Sequence, residues 1–411
     1  MDKNLNQQIQ KIMIQNRRQT RDIVYTLPSP DSYPYQWLWD SCFHSIILSH
    51  FDIPAAKAEM LSLTHYQFSN GMLPHMIYWP NSNSNSFPRI RWGRRHTSSI
   101  TQPPMLAYAV WQIHCLAPDP EFLRSMLATI NRFHHYLLKY RDPRNHHLVG
   151  LIHPDESGED NSPRFDSALA MISRQNIDEN FDHRKVLIKN FRNYHFAIKN
   201  RMDRRHWVRD VPFNAILVRN LRAQASIAEV LGLHDQAKWA RAQAEAVKNA
   251  MRKIMMDDQG VMYSTMGRMY QPIKIKTWAI FSPLFANLLT ESEADNLVHK
   301  YLENEFEFAT HYTVPTVALN ESSFNPGGFW RGPIWMATNW FIVKGLQDYG
   351  YNSQAQKIID QSLELLKISG FREQFNPLTG EGYGAHDFTW GCLVMDMLQP
   401  VATEPKITPQ A

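Results

Sequence analysis

The sequence predicts an all-α fold, an (α/α)6 barrel of six helical hairpins closed into a ring, with long functional loops on one face. Apolar residues recur at helical spacing while strand-like alternation is scarce. Helix starts are expected near 4, 41, 54, 103, 120, 166, 212, 235, 280, 291, 333, 353 and 387. One hairpin design also repeats: LGLHDQAKW (231–239) and YGYNSQAQK (349–357) align without a gap, and HFDIPAAKAEM (50–60) is a weaker copy. Finally, no regular period of about 20–50 residues runs through the chain, which argues against a solenoid.

The hairpins follow from local chemistry. Leu217, Leu221, Ala228 and Leu231 lie on one helix face, and Gly232 then supplies a left-handed C-terminal cap. Gly350 ends a helix in the same way. Ser353 with Gln356, and Thr290 with Glu293, have capping-box spacing. No linker or composition shift divides the 411 residues, so one catalytic domain (1–411) is expected. Residues 174–206 break the helical pattern and read as an insertion, lid or exposed helix. The basic run from His183 to Arg209 reads as a solvated face, and 402–411 as a flexible tail.

Composition narrows the function. A net charge of +4 gives no argument for a nucleic-acid or membrane partner, and neither is expected. Cys42, Cys115 and Cys392 are odd in number and far apart, which is no disulfide framework and suits a reducing compartment. The polar N-terminus has no apolar signal region, so a cytoplasmic location is expected. The histidines do not cluster at metal spacing, and no metal or cofactor is expected. A small-molecule partner remains, and a homo-oligomer is open.

Long polar and aromatic loops between the helices are the candidates for function. HPDESGEDNSPRFD (153–166) crowds Asp155, Glu156, Glu159 and Asp160 together, and Arg164 follows. Carboxylates held close raise one another's pKa, as a general acid requires. A solvated acidic turn is the competing reading. In REQFNP (372–377), Glu373 lies beside Arg372, which would hold the carboxylate ionised as a base. The competing reading is a surface ion pair. YPYQWLWDSCFHS (33–45) places Trp37 and Trp39 on one side if extended, next to Asp40, as a platform for a sugar face. NPGGFWRGPIWMATNW (325–340) offers Trp330 and Arg331, and SSITQPP (98–104) offers Gln102.

Taken together, YPYQWLWDSCFHS, NGMLPHMIYW, SSITQPP, HPDESGEDNSPRFD, DVPFNAIL, GGFWRGPIW and REQFNPLTGEGYG, in that order, resemble glycoside hydrolase family 63. The resemblance is to its short bacterial members related to mannosylglycerate and glucosylglycerate hydrolases. It implies the (α/α)6 barrel and inverting hydrolysis without a metal, with Asp160 as general acid and Glu373 as general base. It implies substrate contacts from Tyr35, Trp37, Trp39, Asp40, Trp330, Arg331 and Trp335. Gln102, Glu156 and Asn161 would bind hydroxyls, and Tyr383, His386 and Trp390 would line the mouth. Arg164, Arg331 and the arginines of 89–95 are candidate cations for an anionic aglycone, and Glu159 is expected to be solvated. Asp155 stands where the family often has Trp, and Gln374 where it commonly has Asn.

Two rival readings go with this one. A sugar isomerase or epimerase on the same toroid would use His44, His153 and His386, and a sugar-binding protein would use the loops without turnover.

Overall fold

The computed structural model describes residues 3–79, 92, 94–171, 176–193 and 207–400. The loop 81–87, Arg89, Arg91, part of 174–206 and the tail 402–411 lie outside the described residues. Fourteen α-helices are found among them. They are α1 (Lys3–Asn16), α2 (Leu38–Leu48), α3 (Ile53–Thr64), α4 (Leu106–Leu116), α5 (Pro120–Tyr140), α6 (Asp166–Leu169) and α7 (Ile177–Asn193). There follow α8 (Val211–Val230), α9 (His234–Ile254), α10 (Ser282–Phe285), α11 (Glu291–Leu297), α12 (Met336–Asp348), α13 (Asn352–Ser369) and α14 (Val394–Met397).

Six of these form an inner ring. Helix α2 packs on α4, α4 on α8, α8 on α10, α10 on α12, α12 on α14, and α14 back on α2. Every residue of α2, α10, α12 as far as Leu346, and α14 is buried, as inner helices covered on both sides require. The outer helices α3, α5, α9 and α13 pack on their inner partners α2, α4, α8 and α12. Their burial is one-sided: Ala237, Ala240, Ala244, Val247 and Met251 make the inner stripe of α9. Fully burying each large apolar side chain stabilises the ring by roughly 1.5–3 kcal/mol. Helix α1 packs on the 3-10 turn Thr389–Leu393 that leads into α14, so the two ends of the barrel meet. This is the expected (α/α)6 barrel.

Local signals set the helix ends. Asp52, Asp119 and Asp210 accept from Ala55, Phe122 and Phe213 backbone N–H groups, each with a proline in the first turn. Thr290 and Glu293 form the expected capping box. Ser353 does not cap: α13 starts one residue earlier, at Asn352, after an uncapped Tyr351.

Short strands brace the loops. β1 (Gln36–Trp37) pairs antiparallel with β2 (Met76–Ile77), and β3 (Gln374–Phe375) with β4 (Gly382–Tyr383). Gln36–Trp37 leads directly into α2, and Phe375 bridges Ile334, two residues before α12. Helix α7 lies outside the ring. Its Phe181, Ile188 and Phe191 join a second, smaller core with Tyr35, Met76, Trp92, Ile100, Ile152 and Trp207.

Candidate active site

The acidic loop is a built structure. A 3-10 turn (Pro154–Ser157) is capped by the His153 ring, which accepts from the Asp155 N–H, and ends at Gly158 with φ 77°. A Cβ at Gly158 would sit 2.3 Å from the Trp39 ring, so only glycine admits this contact. The four carboxylates then separate by partner. Glu156 takes both guanidinium nitrogens of Arg141, at 2.9 and 2.6 Å, and the N–H groups of Thr101 and Ile152. Glu159 takes a bidentate Arg164, at 2.9 and 2.8 Å, and the Trp278 indole. Arg164 also reaches Asp210, the cap of α8. Both acids are buried, so the expectation of a solvated Glu159 is corrected. Glu156 and Arg164 anchor the loop rather than bind substrate, because their hydrogen-bonding groups are engaged inside the protein.

Asp155 and Asp160 remain, and they share one cation. Nη1 of Arg184, from α7, donates to Asp155 Oδ1 at 2.7 Å and to Asp160 Oδ2 at 2.5 Å. The Asp160 side chain keeps 26% of its surface exposed, against 9% for Arg184. Burial raises the Asp160 pKa; Arg184 opposes this, and Asp155 adds to it. Burial would raise Asp155 too, but Arg184 and His153 outweigh it and hold that carboxyl well below the usual range. The sequence-based reading of the basic run as a solvated face fails at Arg184, and also at Arg209, which is buried against the rings of Trp207 and Tyr270.

Glu373 lies on the far side of the sequence and close in space. Its Oε1 accepts from the Tyr33 hydroxyl and its Oε2 from the Ala385 N–H at 2.9 Å. Gly384, at φ 69°, presses on it so closely that a Cβ there would lie 2.2 Å from Oε2. Its pKa is raised, chiefly by burial; the two hydrogen bonds lower it and Asp160 raises it further. The expectation that Arg372 depresses it is corrected: Arg372 donates to the Gly384 carbonyl and is the smallest of these influences. Asp160 is thus near enough for its charge to act on Glu373, and on Tyr33 beside it.

Aromatic rings connect the two. Tyr33, Trp37, His75, Trp92 and His153 make successive edge-to-face contacts with centroids 5.9, 5.2, 4.7 and 5.4 Å apart. Trp39, Trp330, Trp335 and Trp390 form a second cluster. Trp330 and Trp335 stack at 4.0 Å, and Trp390 donates to Asp40 at 2.8 Å. Asp40 is raised to about 6, foremost by burial. This cluster touches the acidic loop through Trp39 and Gly158, and the Tyr33–Glu373 pair through Phe388, which packs on Tyr33.

The other sequence candidates fall into place around these groups. Trp37 ends β1 while Trp39 is already in α2, so the two do not form one extended platform. Asn161 is spent on the backbone of Trp330 and Gly328, and the Gln102 carbonyl on the Trp39 N–H. Arg331 is fully buried in a bidentate pair with Asp166, so it is no pocket cation. Tyr35 packs in the smaller core against Tyr78. Tyr383 hydrogen-bonds Asn376 and Glu381, and His386 is exposed. Four contributors were missed: Tyr33, His75, Trp92 and Arg184. Tyr33 opens the YPYQWLWD motif, which was its signal. Arg184 sits among surface charges and gave none except its place in α7: Phe181, Arg184, Ile188 and Phe191 share an inward stripe.

Residues 33–391 match the family described as the mannosylglycerate hydrolase MGH1-like glycoside hydrolase domain. The chain is 32% identical over 398 residues to a mannosylglycerate hydrolase of Thermus thermophilus, covering 89% of this chain and 94% of the relative. It is 26% identical to a glucosylglycerate hydrolase of Mycolicibacterium hassiacum, covering 91% and 94%. The crystal structure of a family 63 mannosylglycerate hydrolase from Thermus thermophilus, with Tris and D-glycerate, superposes with a TM-score of 0.86 at 31% identity, covering 96% of this chain and 99% of that one. The barrel, the seven ordered motifs and these likenesses together make the chain a member of the mannosylglycerate hydrolase MGH1-like branch of glycoside hydrolase family 63, an inverting glycoside hydrolase.

Proposed function

We propose that this protein hydrolyses the α-glycosidic bond of a hexosylglycerate, with Asp160 as general acid and Glu373 as general base. The observation that carries the reading is the placing of these two carboxyls at one aromatic wall, Glu373 held by Tyr33 and Asp160 by Arg184, with the ring chain from Tyr33 to His153 between them. Asp160 gives its proton to the glycosidic oxygen as the bond to the anomeric carbon breaks. Glu373 removes a proton from a water that attacks the opposite face of the ring. The new bond is inverted, the base ends protonated and the acid ends ionised. An inverting pair stands roughly 6.5–9.5 Å apart so that the water fits. Tyr33 and the Ala385 N–H favour the charged base before the reaction.

Among the described residues, Trp37 Nε1, His75 Nε2 and Trp92 Nε1 are buried without a hydrogen-bond partner, and sugar hydroxyls would supply one. His75 is held neutral, at about 3, foremost by burial, so it serves as a hydrogen-bonding group and not as a cation. With Arg164 and Arg331 paired internally, the exposed Arg94 and Arg95 are what is left, among the described residues, of the cations named for the glycerate carboxylate. Of the histidines named for the rival isomerase reading, His44 bonds Thr389 deep in the core, His386 is exposed, and His153 is held by the Asp155 N–H and the Arg184 carbonyl. We place the reaction in a single catalytic domain in a reducing compartment, in keeping with three free cysteines.

Proton NMR on glucosylglycerate and mannosylglycerate tests the proposal. Release of glycerate with the β-anomer of the sugar first supports it, and turnover should fall by about 10²–10⁴-fold in Asp160→Ala and Glu373→Ala. Cleavage of neither compound, or full activity in either variant, would overturn it.

A further inference from the structure

An arginine on the buried stripe of an otherwise surface helix calls for a reason. Arg184 lies between Phe181 and Ile188 on the inner face of α7, over the Phe181 ring at 5.3 Å, and a single nitrogen of its guanidinium bridges two aspartates. Standing alone against Asp160, that cation would keep the acid ionised, which is the wrong state for proton donation. Asp155 changes the balance. Its Oδ1 lies 3.1 Å from the His153 ring and it stays ionised, so it forms a neutral pair with Arg184. Asp160 is then left to share a guanidinium that is already paired, with burial foremost and Asp155 beside it raising its pKa.

We propose that Asp155 is a positioning residue for the hydrolysis: by sharing Arg184 with Asp160 it neutralises the guanidinium and pins it on Oδ2, so that Oδ1 of the acid carries the transferable proton. The proposal rests on the reading of Asp160 as the acid. It also gives a role to Asp155, the carboxylate of the loop to which the sequence assigned none. The charged and titratable groups facing the pair are few. Arg184 comes from α7, His153 and His75 face Asp155, and Tyr33 and Glu373 face Asp160 from the other wall.

The test is a carboxyl ¹³C NMR titration of the aspartate-labelled protein, with Asp160→Asn identifying the Asp160 resonance, alongside the pH profile of kcat/KM. Asp155→Asn should lower the Asp160 pKa by about one unit or more and move the alkaline limb of activity down by the same amount. Arg184→Gln should raise both, and the double variant should return toward the Arg184→Gln value. Asp155→Glu, which keeps the charge, should stay near wild type. An unmoved Asp160 titration in folded Asp155→Asn, or in Arg184→Gln if the former fails to fold, would overturn the inference. Retained turnover in Asp160→Asn would instead sink the assignment of the acid, and the measured coupling would stand.

Discussion

The Tyr33 hydroxyl donates to Oε1 of Glu373, joining the first aromatic loop to the last catalytic loop across 340 residues of sequence. The phenol itself stays protonated, because burial foremost and Glu373 beside it push its pKa well above the ordinary value. Tyr33→Phe removes a hydrogen bond to an ionised group, worth about 1.5–3 kcal/mol. The Glu373 pKa should rise, because the lost bond favoured the charged form. A base must be deprotonated to act, so the acidic limb of kcat/KM should move to higher pH, with activity at neutral pH down roughly tenfold to a hundredfold. A pH–rate profile reads both.

Gly384 sets the position of that carboxylate. Gly384→Ala puts a Cβ where Oε2 now lies and forces a left-handed backbone on alanine, at about 1–2 kcal/mol. Urea denaturation should show a protein still folded. Activity should fall by about 10²-fold, as a displacement of an ångström costs at a reacting group.

The paired acids of the opening loop are structural. Arg164→Met leaves Glu159 and Asp210 buried without their cation, a loss of about 3–5 kcal/mol. The expected result is a lower denaturation midpoint with the slope unchanged.

Asp396 offers a pH signature away from the site. Burial alone would raise it, yet Lys344 and His50 hold it well below an ordinary aspartate. A depressed folded pKa contributes stability that is present above the unfolded value of about 3.9 and is lost as pH falls through the folded one. Asp396→Asn should therefore be less stable than wild type by about 3–5 kcal/mol at pH 7, and the gap should narrow steadily below pH 4. A gap independent of pH would contradict the ion pairs.

How much of this was legible in the sequence depends on the range of each interaction. The hairpins were, because Gly232, Thr290 with Glu293, and the α9 stripe act within a few residues. Ser353 and Gln356 had the right spacing but lost to a helix that begins at Asn352. The fates of the charges were not legible. Glu156 and Arg141 are 15 residues apart, Arg331 and Asp166 are 165 apart, and nothing local marks either as buried. Glu373 was misjudged for the same reason: its neighbour Arg372 turns to the Gly384 carbonyl, while distant burial and Asp160 decide its charge. Arg184 shows the problem most sharply, since Lys185, three residues from Asp182 on α7, makes the exposed pair that the sequence suggested for the whole run.

The assignment of acid and base is tested most directly by a substrate that needs no acid. An α-glycosyl fluoride expels its leaving group without protonation, whereas the glyceric hydroxyl needs it. Asp160→Asn should keep substantial hydrolysis of the fluoride and lose that of the glycerate glycoside, and Glu373→Gln should lose both, since each needs an activated water. The reverse pattern, with the fluoride surviving only in Glu373→Gln, would exchange the two roles and contradict the account.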